Sequence, residues 1–330
     1  MKAFNVYDTN LNRIGTIETW VSLLWNEGYN TLGSFCIEVQ QTKEVSELIK
    51  VGNYVGRSDF KTLCLIRSVE VKDNTIVANG HPAVSILGER ISTAVIKNQN
   101  AEQAMRGLVE NMSKWPCVEL GEIAGFTDEF ERQISDKTLL EYCEEICAEF
   151  DMGFTLRYDK KTKKLLFEIY RPEIDKNLKY ATKFGNLAEV VYSETDTQYK
   201  NVAIVAGEGE GEERVTVYAG DVDSSGAERR ELYVDARSIQ KADEDTEETY
   251  KQKLVDFGLE KLAENIKIEN ISVQIATEDF GKTVELGDII TCILNDIGVK
   301  LQSRIIAFTY TSQRNTDEIE VEFGTPIIRR

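Results

Sequence analysis

The sequence predicts an α+β, β-rich chain in which two small β-barrels flank an inserted α/β module. Three observations carry this. Near the N-terminus Phe35, Ile37 and Val39 alternate with Cys36, Glu38 and Gln40, the period of a half-buried strand. The middle of the chain switches to helical spacing. Ala104, Met105, Leu108, Val109 and Met112 trace one face, and Leu139, Leu140, Cys143, Ile146, Cys147 and Phe150 trace another. The two ends then echo each other. Val51-Gly52-Asn53-Tyr54-Val55 leads to a strand around Arg67 and on to Ile76 and Gly80. Leu286-Gly287-Asp288-Ile289-Ile290 leads to a strand around Arg304 and on to Ile319 and Gly324.

The elements follow in order. In residues 1–95, Gly33-Ser34 opens the alternating strand. Tyr54-Val55, Leu63 to Val71 and Thr75 to Ala78 supply three more, with Asp73-Asn74 as a hairpin turn. In residues 96–185, Asn100 is placed to cap a helix, with Gln103 at its third position. A second helix starts near Asp136. Phe154 to Leu156 and Leu165 to Tyr170 form a hairpin around Asp159-Lys160-Lys161. In residues 186–330, Asn201 to Ala206 and Arg214 to Tyr218 read as strands. Thr246 to about Lys267 reads as a helix with Glu247 and Glu248 in its first turn and Lys261 and Lys267 near its end, a polarity that suits the macrodipole. Tyr250, Leu254, Phe257 and Leu262 form its apolar stripe. Strands near Ile271–Ala276, Asp288–Leu294, Lys300–Thr311 and Glu318–Phe323 close the chain. Three domains are therefore expected, at 1–95, 96–185 and 186–330. Three chains in a ring would present six similar modules.

Charge excludes several function classes. Lys and Arg number 39 against 57 Asp and Glu, a net −18. A nucleic-acid binder places positive charge against phosphates, and a protein docking on anionic lipid needs the same. No apolar run approaches the ~20 residues that span a bilayer. Met1-Lys2-Ala3-Phe4 opens no long apolar segment of the signal-peptide kind, so folding in a cytosol, without a membrane anchor, is expected. The six cysteines are scattered with no C-x-x-C pair, which reads as buried thiols rather than a disulfide or metal framework.

The motifs that could carry chemistry are weak. His81 is the only histidine, so every histidine-based mechanism must use it, and it sits in the turn-like Asn79-Gly80-His81-Pro82. Gly207-Glu208-Gly209-Glu210-Gly211-Glu212-Glu213 follows a strand as a dinucleotide loop does. Four glutamates occupy the place of an incoming pyrophosphate, and a strand follows instead of a helix, so an acidic hairpin is expected. Asp221-Val222-Asp223-Ser224-Ser225-Gly226 opens like a calcium loop, but the twelfth position is Leu232, where a bidentate Glu is required. From Gly207 to Glu248 there are 14 acidic and 5 basic residues, which concentrates half of the chain's net charge in a solvated surface. Within it, Arg229, Glu231, Tyr233, Asp235 and Arg237 share one strand face, and Arg230, Leu232, Val234 and Ala236 share the other. The first face is either a solvated surface or a polar seam against a neighbouring strand or subunit.

The stretch from Arg229 and Arg230 through Glu231, Tyr233 and Asp235 to Arg237 resembles a signature of siphophage tail proteins of the Reqi-Pepy-six gene-product-thirty-seven-like family. Trp25 through Tyr29 to Gly33-Ser34-Phe35, Leu87-Gly88-Glu89-Arg90-Ile91, Asn201-Val202 and Leu286-Gly287-Asp288-Ile289-Ile290 are similar to other parts of that family in the same order. The resemblance implies a phage tail-hub fold, with two β-barrel hub domains flanking inserted domains, and a homotrimeric baseplate hub in the virion tail, assembled in the bacterial host cytoplasm. Its implied partners are the distal tail protein, the tape-measure protein and tip or receptor-binding proteins. The resemblance also implies that DNA passes through the lumen without specific binding, a wall that the acidic segment would suit. The family pattern offers no catalytic residues, no metal and no cofactor, so no enzyme activity is expected. Two alternatives compete: a carbohydrate-active protein using an Asp/Glu pair, and a carbohydrate-binding module with Trp20, Trp25 and Trp115 as stacking platforms.

Overall fold

The computed structural model describes residues 3–91, 93–113, 115–134, 137–184, 188–211, 214–242, 245–275, 284–296, 298–313 and 316–324. The chain divides into two compact units, Met1–Val191 with Ile271–Arg330, and Tyr192–Asn270.

The first unit is dominated by β structure. Its N-terminal part runs β1 (Phe4–Tyr7), β2 (Arg13–Ile17), β3 (Ser22–Gly28), β4 (Thr31–Gln40), a short helix α1 (Lys43–Leu48), β5 (Tyr54–Arg57), β6 (Cys64–Lys72) and β7 (Thr75–Pro82). The alternation in β4 is realised as expected: Phe35, Ile37 and Val39 are buried and their neighbours are not. Asp73 and Asn74 both take positive φ, 48° and 65°, the two-residue turn that matches the twist of a hairpin. The Asn79–Pro82 segment is strand rather than turn, because Gly80, His81 and Pro82 pair with Ile66, Leu65 and Cys64.

The inserted segment supplies β8 (Ala94–Asn100), α2 (Ala101–Ser113), β9 (Val118–Leu120), β10 (Glu129–Ile134), α3 (Leu139–Glu149), β11 (Gly153–Asp159) and β12 (Lys164–Tyr170). Asn100 Oδ1 accepts the Gln103 amide at 2.8 Å, and Gln103 Oε1 accepts the Asn100 amide at 3.3 Å, the reciprocal capping box. A second capping box joins Thr138 and Glu141 and starts α3; Asp136 lies outside the described residues. Ala104, Met105, Leu108 and Val109 pack with Leu139, Cys143, Ile146 and Cys147 in one core against β11 and β12. The Met112 side chain lies outside the described residues. The expected hairpin is present as β11–β12, and β9 adds to it in parallel.

Next come β13 (Ile174–Ala181), β14 (Ala188–Thr195), then β15 (Val202–Ala206), β16 (Thr216–Gly220), β17 (Glu231–Asp235) and helix α4 (Glu247–Ala263). The chain closes with β18 (Ile268–Ile275), β19 (Ile289–Leu294), β20 (Val299–Gln313) and β21 (Thr316–Phe323). Ala276 lies outside the described residues. A 13-stranded sheet runs β14-β18-β21-β20-β3-β4-β7-β6-β5-β1-β2, with β19 also pairing to β20 and β13 to β19. Both ends of the chain thus enter one sheet. No pairing among the described residues closes either end into a separate barrel.

The echo between the ends recurs bond for bond. The Gly52 amide donates to Ile66 O and the Ile66 amide to Asn53 O, both at 2.9 Å. The Gly287 amide donates to Ile305 O and the Ile305 amide to Asp288 O, both at 2.8 Å. A register shift follows in each, at Ile66/Ser68 against β7 and at Ile305/Ala307 against β21. Ile66 therefore corresponds to Ile305, and the Arg67–Arg304 match suggested by spacing is two residues out of step. Arg67 pairs with Glu89. Arg304 instead reaches Asp151 Oδ1 at 2.6 Å and Gly287 O at 2.8 Å. The repeat ends at the next strand, since β1 pairs antiparallel with β5 while β13 pairs parallel with β19.

Gly52 and Gly287 take φ of +92° and +89°, a region in which a side chain is strained by about 1–2 kcal/mol. A Cβ on Gly52 meets only Thr9 Cγ2 at 3.5 Å, whereas one on Gly287 meets Tyr29 Cε2 at 2.5 Å and Pro172 Cγ at 2.7 Å. Gly52→Ala is expected to lower stability by about 1–2 kcal/mol and Gly287→Ala by clearly more, measured by urea unfolding. Equal losses would show that the wall around Gly287 yields freely.

Candidate functional site

The first candidate region is the seam at which the two ends meet. β3 and β20 are antiparallel over seven pairs, from Ala307 opposite Gly28 to Gln313 opposite Ser22. Asn26 Nδ2 donates across it to Phe308 O at 3.2 Å and Thr309 Oγ1 at 2.9 Å. Beneath the seam Trp25 is fully buried and meets Phe35 and Phe60 edge-on. Phe60 in turn meets Phe308 and Tyr310 edge-on, the favoured geometry for aromatic pairs. The buried Arg57 guanidinium lies 4.2 Å from both the Phe60 and Tyr310 ring centres and bonds Asp59 at 2.7 Å. An almost fully desolvated cation is thus held by one carboxylate and two ring faces. Sequence reading passed over Arg57; its one signal was a cation ending the apolar run Tyr54-Val55-Gly56.

Glu27 sits at the same junction and was also missed. Its Oε1 accepts from Trp25 Nε1 at 2.7 Å and from the Thr62 hydroxyl. Burial pushes its carboxyl above the ordinary range, against the two hydrogen bonds that pull it down. The inserted segment is tied in here as well. Tyr29 Oη and Asn30 Nδ2 both donate to Met152 O at 2.7 Å; separately, Lys61 of the N-terminal part bonds Glu285 of the C-terminal part at 2.5 Å.

The second region belongs to the Tyr192–Asn270 unit. Its sheet is ordered β16-β15-β17, antiparallel to β16 and parallel to β17. Ala203, Val205, Ala219 and Val234 face Tyr250, Leu254 and Leu262 of α4. Thr246 caps this helix, as the sequence predicts. The glycine-rich acidic segment joins the antiparallel β15 and β16 as a hairpin; Glu212 and Glu213 lie outside the described residues. No group of three or more His, Cys, Asp or Glu side chains that could hold a metal ion occurs among the described residues, Asp221 and Asp223 included.

The Arg229–Arg237 stretch falls as its alternation predicts. Val234 and Ala236 are buried, while Glu231, Tyr233 and Asp235 are exposed. Arg229 pairs with Glu231 at 2.7 Å, and Arg237 with Asp235 at 2.5 Å. Arg214, which sequence reading did not single out, bonds Asp235 at 2.9 Å and the Tyr233 hydroxyl at 3.0 Å. Arg230, on the other face, reaches Asp196 at 2.5 Å. The ladder is therefore ion-paired within its own unit. Arg237, with help from Arg214, holds the Asp235 carboxyl down at about 2.

The remaining candidates have structural partners. His81 contacts Gly33 O at 2.9 Å through Nδ1 and lines a cavity of about 320 Å3 with Cys36, Arg67 and Asn79. All six cysteines are free thiols; Cys64, Cys143, Cys147 and Cys292 are buried, and burial pushes each of these four thiols up. The tryptophans are not open platforms. Trp25 is buried, Trp20 donates to Ser312 Oγ at 2.8 Å and meets Phe4 edge-on, and Trp115 packs on the core beneath Arg90. No described helix is long and apolar enough to cross a membrane.

A β-rich fold with few helices of this kind resembles that of phage tail proteins. The chain belongs to the Siphovirus ReqiPepy6 Gp37-like protein family, whose model matches residues 3–325. In fold it is similar to the tail protein from Neisseria meningitidis, at 12% identity and TM-score 0.63 over 98% of this chain and 96% of that one. It is equally similar to a 43 kDa tail protein of prophage MuSo2 from Shewanella oneidensis, at 12% identity and TM-score 0.63 over 98% of both chains. A chain of the phage P2 baseplate matches at 11% identity and TM-score 0.53 over the whole of both chains. None of the curated proteins matches the sequence.

Two titrations test this geometry. Because the folded value of Glu27 is raised, its contribution to stability is full below the ordinary carboxylate range and is lost as pH climbs toward the raised value. Glu27→Gln is expected to melt close to wild type at pH 4 and above it at pH 8, by calorimetry. An unchanged difference across that range would mean that Glu27 is not desolvated. For the ladder, carbonyl-carbon NMR is expected to show Asp235 titrating near 2 and moving up toward the ordinary aspartate range in Arg237→Ala. No movement would exclude Arg237 as the cause.

Proposed function

We propose that this chain is a structural hub of a phage tail tip: three copies close into a ring that joins the sixfold tail tube to the tip. The observation that carries the reading is the repeated turn at Gly52 and Gly287, with the same hydrogen bonds and the same register shift after each. A chain that carries one building unit twice matches a sixfold ring with three copies. Family membership over residues 3–325 supports the reading, and so does the likeness to tail and baseplate proteins along their full lengths.

In this reading residues 1–95 and the strands of 186–330 are the two hub modules, each barrel-like in the ring, and residues 96–185 are an insertion. The distal tail protein and the tape-measure protein sit on one side, and tip or receptor-binding proteins on the other. DNA crosses the lumen without specific binding, and the assembly forms in the host cytoplasm. The work done is mechanical, with no bond-making step assigned to any residue, so the ladder Arg229–Arg237 serves to order its own surface for contact.

Native mass spectrometry of the purified chain tests the ring. The expected result is a three-chain species, and negative-stain images of it with a central opening. A two-chain or open-ended series of masses would contradict it. So would robust degradation of cell-wall glycan abolished by one carboxylate substitution.

A further inference from the structure

The repeat also indicates where one copy joins the next. We infer that the exposed edge of β6, at Ser68–Lys72, receives the β14 strand, Ala188–Thr195, of a second copy of this chain, as an added antiparallel strand. This rests on the ring-forming reading proposed above and names its seam.

The argument is by correspondence. Ile66 corresponds to Ile305, so Ser68, Val69 and Val71 correspond to Ala307, Phe308 and Tyr310. The latter three are covered by β3, pairing with Gly28, Glu27 and Trp25. In the first module no strand among the described residues takes that place. β6 pairs with β7 along its length but with β5 only at Leu65 and Cys64. The result is a contrast in burial at one position of the repeat: Tyr310 is 1% exposed and Val71 is 57% exposed. The strand that would fill the gap is the counterpart of β3. β3 reaches β7 through β4, and β14 reaches β21 through β18, so β14 occupies the β3 position of the second module. It ends the sheet, with one strand partner among the described residues, and its Val191 is 61% exposed. Each copy therefore has one donor strand and one receiving edge, a head-to-tail pairing that closes into a ring when its rotation permits.

The polarity of the receiving edge is set by the hairpin. Asp73 and Asn74 form a two-residue turn, which makes Lys72 and Thr75 a hydrogen-bonded pair. Pairing alternates back along an antiparallel ladder, so Glu70 and Ser68 bond to β7, while the N–H groups of Val69 and Val71 point to the open edge. Proline at such an edge position removes a donor that β7 does not use and is tolerated by the strand.

Sedimentation velocity of the full-length chain and of Val71→Pro tests the seam, with circular dichroism to establish that the variant folds. The wild type is expected as a trimer, and Val71→Pro as monomer with association about tenfold weaker per seam. Amide exchange on the wild type is the second readout: Val69 and Val71 are expected to slow only in the trimer. A trimer that Val71→Pro leaves intact, or whose Val69 and Val71 amides exchange freely, overturns this seam and spares the ring. A wild-type chain that stays monomeric at every concentration overturns both.

Discussion

The antiparallel pairing of β3 with β20 is the constraint on which the rest of the large unit depends. It joins residues some 282 positions apart in sequence. Closing a loop of that length opposes folding by about 5 kcal/mol before any contact is made. Seven cross-strand pairs and the aromatic cluster beneath them must offset that. The Trp25, Phe60 and Tyr310 rings bring dense apolar burial to the seam. Arg57 then fixes its geometry, because a desolvated guanidinium tolerates only positions where its carboxylate and ring partners are all in reach. Loss of this seam would separate the two halves of the repeat and leave β20 with an edge as open as that of β6 among the described residues.

The smaller unit follows a different logic. Three strands backed by α4 bury one face, and the other face carries charge. Its acidic excess is not spread evenly: Asp196, Glu231 and Asp235 each sit against an arginine. Such exposed pairs add little stability singly. What they do is hold side chains in fixed positions on a surface that would otherwise be a mobile set of glutamates and aspartates. A fixed pattern of charge is what specific contact with another protein requires.

Much of this was legible in the sequence, and the legible parts are those with local causes. The cap at Asn100 and Gln103, the turn at Asp73-Asn74, the Phe35–Val39 alternation and the acidic hairpin after Ala206 are each decided within a few residues. The two faces of Arg229–Arg237 follow from strand period alone. What the sequence hid is non-local. β13 and β9 join their sheets in parallel with partners far away in the chain, and no short-range pattern encodes that choice. The division of the chain after Val191 and Asn270 coincides with no proline or glycine punctuation. The echo was visible from its glycines, but matching on the conspicuous arginines set it two residues out of step, because only backbone hydrogen bonds define the correspondence. Arg57 and Glu27 were missed because their importance comes from burial, which charge patterning predicts against.

The most direct measurement of the central claim is a near-atomic density map of the assembled particle at the tail tip. The account predicts three copies in a closed collar, with six similar β modules spaced around it and the Gly52 and Gly287 turns alternating at one level. A collar in which only one end of each chain lines the ring, or a single copy standing alone at the tip, would contradict it.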